Sequence, residues 1–264
     1  MKFCYPWMLL VCMTGCISCT RNIYIPNQVN APLLHEKHQL KIDAAPSNLQ
    51  AAYALTDKFA VMVNGQYTWE RLGREGSATS SRHGRFTRPL GGVVEAGLGI
   101  FKKFTHPDKP PIVLDLYAGY GAGGFSISDH AYYKDSTGGT HRDYTVRTRF
   151  RKFFIQPGFG MVHKRVELAF TPRFTFLRYA IPFVGSSVSE VYLTNTFDNQ
   201  ITYLPEMRKA ASSATFLYEP AFTLRVGSPH FKWYFQLLGS TVSMFDSNDY
   251  YPFISITTGI SARF

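Results

Sequence analysis

From residue 38 to the C-terminus the chain alternates with a period of two, the mark of strands that keep one apolar face. Over 59–70, Phe59, Val61, Val63, Gly65, Tyr67 and Trp69 share a face, opposite Ala60, Met62, Asn64, Gln66, Thr68 and Glu70. Over 166–177, Val166, Leu168, Phe170, Phe174 and Phe176 oppose Glu167, Thr171, Arg173 and Thr175. Phe216, Tyr218, Phe222, Leu224 and Val226 oppose Thr215, Glu219, Thr223 and Arg225, and Ile254, Ile256 and Ile260 lead to Phe264. The pattern predicts ten strands, over 38–46, 49–56, 59–71, 91–104, 112–127, 146–163, 165–181, 213–227, 230–244 and 250–264. Many reach the roughly 9–11 residues that a tilted membrane-crossing strand needs. The predicted connections alternate between short (56–58, 105–111, 163–165, 227–230) and long (72–90, 128–145, 182–212). Short turns at one end and long loops at the other belong to transmembrane barrels, so the fold class expected is all-β, an antiparallel up-and-down barrel of about ten strands.

The N-terminus has a different character. Residues 1–18 read as a signal peptide: Lys2 is followed by a short apolar stretch, too short to remain as a membrane span. All four cysteines, Cys4, Cys12, Cys16 and Cys19, lie in or beside it, so the body of the chain has no disulfide framework. Met13-Thr14-Gly15-Cys16 resembles a bacterial lipobox, and Ile17-Ser18-Cys19 is a second candidate; Cys16 and Cys19 are the candidate lipidation sites. Residues 19–37 carry Pro26 and Pro32 with no period and read as an extended periplasmic tether, leaving 38–264 for the barrel.

Composition narrows the class. Aromatic residues make up 16% of the chain and charged residues 17%, where a soluble domain has about 25% charged. This excludes an intrinsically disordered chain. The chain carries 28 Lys and Arg against 18 Asp and Glu, a net charge of +10.

The signal segment, the tether with Tyr24-Ile25-Pro26-Asn27 and Pro32-Leu33-Leu34, the strand pattern and the terminal Phe264 together resemble the small outer-membrane β-barrel proteins of Gram-negative bacteria. The resemblance covers nearly the whole chain. It implies a cell outer membrane location, and it makes Phe264 similar to the insertion signal read by the barrel-insertion machinery. It implies no particular activity, because such barrels serve as porins, adhesins, enzymes and anchors. An even strand number with Phe264 at the periplasmic end places the start of strand one there too. The expected lipid then sits in the inner leaflet, with the tether along the periplasmic face.

If the large apolar face meets lipid, the opposite face lines the lumen. The inward charges are then Lys41, Asp43, Glu70, Glu95, Asp115, Lys152, Glu167, Arg173, Glu219, Arg225, Lys232 and Arg263, balanced in sign. Buried charges need partners, so Glu95, Asp115, Glu167, Arg173, Glu219 and Arg225 are expected in a lumen charge network. Glu167, Arg173, Glu219 and Arg225 should form one cluster. This favours a plugged lumen over a pore of one charge sign. Gly119–Gly124 sits inside a strand pattern with no helix after it, so a phosphate-binding loop is rejected. Asp129-His130 and His141-Arg142-Asp143 match no ligand or nucleophile spacing. Arg71, Arg74, Arg82, Arg85 and Arg88 make one predicted loop basic. Arg147, Arg149, Arg151 and Arg178 share the lipid-facing parity and are candidate contacts for lipopolysaccharide phosphates. The expected function is non-enzymatic and without cofactor: a structural component, a subunit of a membrane protein complex or a surface binding protein. A narrow transport pore and a lipid-modifying barrel enzyme are the alternatives. Outer-membrane lipids and the insertion machinery are the expected partners, and nucleic acid is not.

Overall fold

The computed structural model describes residues 24–68, 90–107, 109–135, 138–180, 183–184, 211–242 and 254–264. Twelve strands run in chain order: β1 (Leu40–Ala45), β2 (Asn48–Ala54), β3 (Phe59–Thr68), β4 (Leu90–His106), β5 (Lys109–Asp135), β6 (Gly138–Val162), β7 (Val166–Tyr179), β8 (Phe183–Val184), β9 (Thr215–Gly227), β10 (Phe231–Gly239), β11 (Thr241–Val242) and β12 (Ile254–Arg263). Each main strand pairs antiparallel with the next, β12 pairs with both β10 and β1, and the sheet closes into a ten-strand barrel. The two-residue β8 and β11 continue the β7 and β10 edges, against β6 and β9.

Alternation positions the side chains. Ala60, Met62 and Asn64 of β3 are buried inside, while Phe59, Val63 and Tyr67 stand exposed outside. The same holds for Leu98 and Ile100 against Glu95 and Phe101 on β4, and for Trp233 and Phe235 against Tyr234 and Gln236 on β10. Among the described residues no helix is long and apolar enough to cross a membrane. The predicted set of barrel strands thus forms, with three differences.

The first is the predicted loop over 128–145. The β5–β6 ladder continues through it, from Ile127↔Val146 to Asp135↔Gly138, so most of that segment is a two-stranded ribbon. Tyr132, Tyr133, Thr140, Tyr144 and Thr145 favour extended backbone. Polar residues at both odd and even positions of that stretch leave no period in the sequence. The second is a break in the wall. The β6–β7 ladder passes from Ile155↔Phe174 to Phe159↔Phe170 over Pro157 and Pro172, and Pro172 faces Pro220 on β9. Proline lacks the N–H donor that a ladder bond requires. The third concerns predicted ends and loops: 69–89, 185–210 and 243–253 lie outside the described residues, as do Glu70 and the basic loop arginines.

The segment expected as a tether lies elsewhere. Tyr24, Asn27, Val29, Asn30, Ala31, Leu33 and Leu34 are at most 3% exposed, enclosed by the barrel wall. A barrel of about eight strands is just filled by its own side chains; ten strands leave more room. Small inward residues widen it further. A Cβ on Gly160 would come within 2.7 Å of both methyls of Leu33, so glycine there makes the seat for that side chain.

Candidate functional site: the filled lumen

One barrel end carries Leu40, Phe264 and the turns at 163–165 and 228–230; the other is the end from which the β5–β6 hairpin extends to Asp135 and Gly138. The segment from Tyr24 to Leu34, the cord, runs between them. Near the first end Leu33 and Ala31 pack with Val113, Val162 and Ala169. Leu34 packs with Ala54, Phe101 and Tyr117. Further along, Val29 packs with Ala221 and Leu238. Toward the hairpin end, the Tyr24 ring stands edge-on to Phe150 and Phe125 at 5.6 and 6.5 Å. Beyond Leu34 the chain reverses into β1, with Leu33 and His38 in left-handed backbone (φ 47° and 62°). His35 caps this reversal. Its amide donates to Gln39 Oε1 at 2.9 Å and its Nδ1 lies 3.2 Å from the Leu33 carbonyl. Burial pushes the imidazole below its ordinary pKa, opposed by that carbonyl.

An extended chain inside a barrel has backbone groups with no ladder to join, and burying them unpaired is costly. Lumen side chains pair them instead. Gln236 grips Val29 at both ends: the Val29 amide donates to Oε1 at 3.0 Å and Nε2 donates to the Val29 carbonyl at 2.7 Å. Gln156 Nε2 donates to the Asn30 carbonyl at 2.6 Å, and the Gln28 amide donates to Gln66 Oε1 at 3.0 Å. Arg173 and Arg225 donate to the carbonyls of Asn27 and Ala31 at 2.8 and 2.9 Å.

The charges fall into two layers. In the layer toward the hairpin, Arg173 Nε donates to Glu219 at 2.9 Å, and Arg173 also meets Glu95 at 3.4 Å. Lys152 pairs with Glu95 and donates to the Asn27 side-chain oxygen. Asn27 Nδ2 donates to Glu95 at 2.5 Å, and Thr175 donates to Glu219 at 2.6 Å. In the layer toward the short turns, Lys41 and Lys232 hold the two oxygens of Glu167 at 2.5 and 2.6 Å, and Arg225 holds Asp43 at 2.5 Å. Arg225 and Arg263 flank Glu167 at 3.8 and 3.6 Å.

Of the predicted network, Glu95, Arg173 and Glu219 join the first layer and Glu167 and Arg225 the second, so the single cluster expected for four of them is two. Glu167 and Arg173 are six residues apart on β7, about 20 Å along the strand, too far for one layer. Asp115 joins neither layer. It is buried, and its ladder neighbours Phe101 and Gly158 carry no charge. Gln66, Gln156 and Gln236, which pair the cord's backbone, and the cord's own Asn27 and Asn30 stand outside the set of site residues expected from the sequence. The inward parity of the three glutamines is visible in the sequence; neutral amides on a lumen face signal a bound backbone as much as a charge network.

Outside, Arg147, Arg149, Arg151 and Arg178 are exposed, as expected from parity, and Arg151 lies directly opposite Arg178. No carboxylate pairs with any of the four among the described residues. Phe264 is 63% exposed and stands edge-on to Phe231, ring centroids 6.2 Å apart. Cys16 and Cys19 lie outside the described residues, and so do the side chains of Asp129, His130, His141, Arg142 and Asp143.

These features define the class: a closed antiparallel ten-strand barrel whose interior is occupied by its own N-terminal segment. No protein-family model matches the sequence, and comparison with the curated proteins finds no match.

Proposed function

We propose that the protein is an outer-membrane barrel that does not conduct and works as a membrane-embedded structural, complex-forming or surface-binding component. The observation that carries this reading is the cord. It occupies the lumen from Tyr24 to Leu34, its backbone paired by lumen side chains and two layers of ion pairs. A pore needs an open, hydrated path, and among the described residues the cord and its partners stand across the lumen. The membrane setting is supported by the outer surface, where Val94, Leu98, Trp233, Ile256 and Phe264 are each more than half exposed. A soluble monomer rarely leaves so continuous an apolar belt in water.

Phosphate-bearing lipid is the partner this surface suits best. Four outward arginines with no carboxylate partner among the described residues, two of them directly opposed, repel one another unless an anion sits among them. A groove of about 490 Å³, lined by Leu49, Gly65, Gly92, Val94 and Ala122 among others, opens on the same outer face. Ala122 is the ladder neighbour of Arg151, so an acyl chain in the groove brings its headgroup toward the arginines. Planar-bilayer recording tests the central reading. The intact protein should give no unitary steps, whereas a variant lacking 24–34 should conduct. Steady, salt-dependent steps from the intact protein would refute it.

A further inference from the structure

We propose that the N-terminal segment enters the barrel from the hairpin end, so that the chain before Tyr24, which carries the candidate lipidation sites Cys16 and Cys19, emerges on the cell-surface side of the outer membrane. This rests on the outer-membrane reading above and reverses the topology expected from the sequence.

The polarity of the cord carries the inference. Its C-terminal part, Leu33 and Leu34, lies among Val113, Val162 and Phe101 at the short-turn end, from which the chain reverses into β1. Its N-terminal residue Tyr24 lies among Phe125 and Phe150 toward the other end. Val162 and Phe150 are both on β6; the twelve residues between them amount to about 30 Å along the barrel axis, for strands rising about 3.3 Å per residue and tilted about 40°. Chain preceding Tyr24 therefore starts from the hairpin side of both ion-pair layers. Cys19 is five residues away, a reach of at most about 18 Å, and Cys16 eight residues away, about 28 Å. Neither spans the distance back, and the path through the lumen is filled by the cord and by Arg173, Glu219 and Leu217, these three fully buried.

The direction is also chemically specified. Arg173 reads the Asn27 carbonyl in one layer and Arg225 reads the Ala31 carbonyl in the other, while Gln236 reads both polar groups of Val29 between them. A cord running the other way would present these groups to the wrong partners. In outer-membrane barrels the longer connections face the exterior and the short turns the periplasm. The hairpin end is then the cell surface, and an acyl chain carried by either cysteine would insert in the outer leaflet. A barrel strand order that begins after the cord lets the wall close around a segment that precedes it in the chain.

Cysteine labelling in intact cells decides this. Asn22→Cys, with Thr20→Cys as a second probe, is compared with Ser136→Cys in the hairpin turn and Lys164→Cys in a short turn. The reagent is a membrane-impermeant maleimide carrying a polyethylene glycol mass tag, and the parent protein's own signal is subtracted. Only protein in the heat-modifiable folded band is scored. The expected result is labelling of positions 20, 22 and 136 in intact cells, and of 164 only after permeabilisation. If 136 and 164 keep these sides while 20 and 22 label only after permeabilisation, the threading is wrong and the outer-membrane reading stands. If 164 labels in intact cells, the membrane orientation itself is wrong and the inference falls with it.

Discussion

Single side chains in the lumen are held by several partners at once. Arg173 touches Glu219, Glu95 and the Asn27 carbonyl, with no exposure to solvent. Removing one member of such a group leaves a buried charge uncompensated. Arg173→Met should cost about 3–5 kcal/mol, and adding Glu219→Gln should recover part of that. Urea unfolding of the barrel refolded in lipid, followed by tryptophan fluorescence, measures both; equal losses in the single and double variants would separate the two residues energetically. Gly160 gives a steric counterpart. Gly160→Val drives a side chain into the Leu168 carbonyl and into both methyls of Leu33 and should cost about 1–3 kcal/mol; Leu33→Ala should relieve the Leu33 share of that cost and leave the backbone share. Additive losses in that cycle would mean that Leu33 does not occupy this seat. The inward charges themselves were legible from parity, because a period of two assigns every residue of a strand to a face. Which charges meet was not. Pairing depends on height in the barrel and on a second chain segment between the strands, and neither is written in the alternation.

At the scale of elements, β5 and β6 differ from the rest. They run 27 and 25 residues and pair to their tip, well past the other strands. A hairpin that projects beyond the wall contributes little to barrel closure. Replacing 127–146 by a two-residue turn should leave the folded band and the urea midpoint of the barrel unchanged within error. A midpoint lowered by several tenths of a molar would show that the ribbon supports the wall. The strand ends of this hairpin were illegible because polar residues at both odd and even positions leave no period; the prolines at 157, 172 and 220 interrupt the wall without interrupting the pattern. The arginines beside the groove belong to this scale too. Lipopolysaccharide added to barrel in neutral detergent should raise its melting temperature, and Arg151→Ala with Arg178→Ala should remove most of that rise. A full rise in the double variant would assign the lipid contact elsewhere.

Over the whole molecule, the fold follows from two quantities, strand number and lumen width. Ten strands close a ring wider than its own side chains fill, and the inward glycines and alanines of β2–β6 enlarge it. The cord supplies the missing volume: Val29, Leu33 and Leu34 fill apolar seats, and lumen amides and arginines pair its backbone. The barrel was readable from residue 38 onward. The cord resembles a tether in sequence because an aperiodic, proline-bearing stretch looks the same whether water or a lumen surrounds it. Its occupation of the lumen is the central claim, and a cross-link measures it most directly. With Cys16 and Cys19 changed to Ser, Leu33→Cys and Gly160→Cys are combined with a protease site in the connection between β3 and β4, and the folded barrel is oxidised and cut. The expected outcome is two fragments that stay joined on a non-reducing gel and separate on reduction, while Leu33→Cys with the outward-facing Phe159→Cys gives no joined species. A folded barrel whose fragments separate without reductant in the Leu33–Gly160 variant would contradict the account.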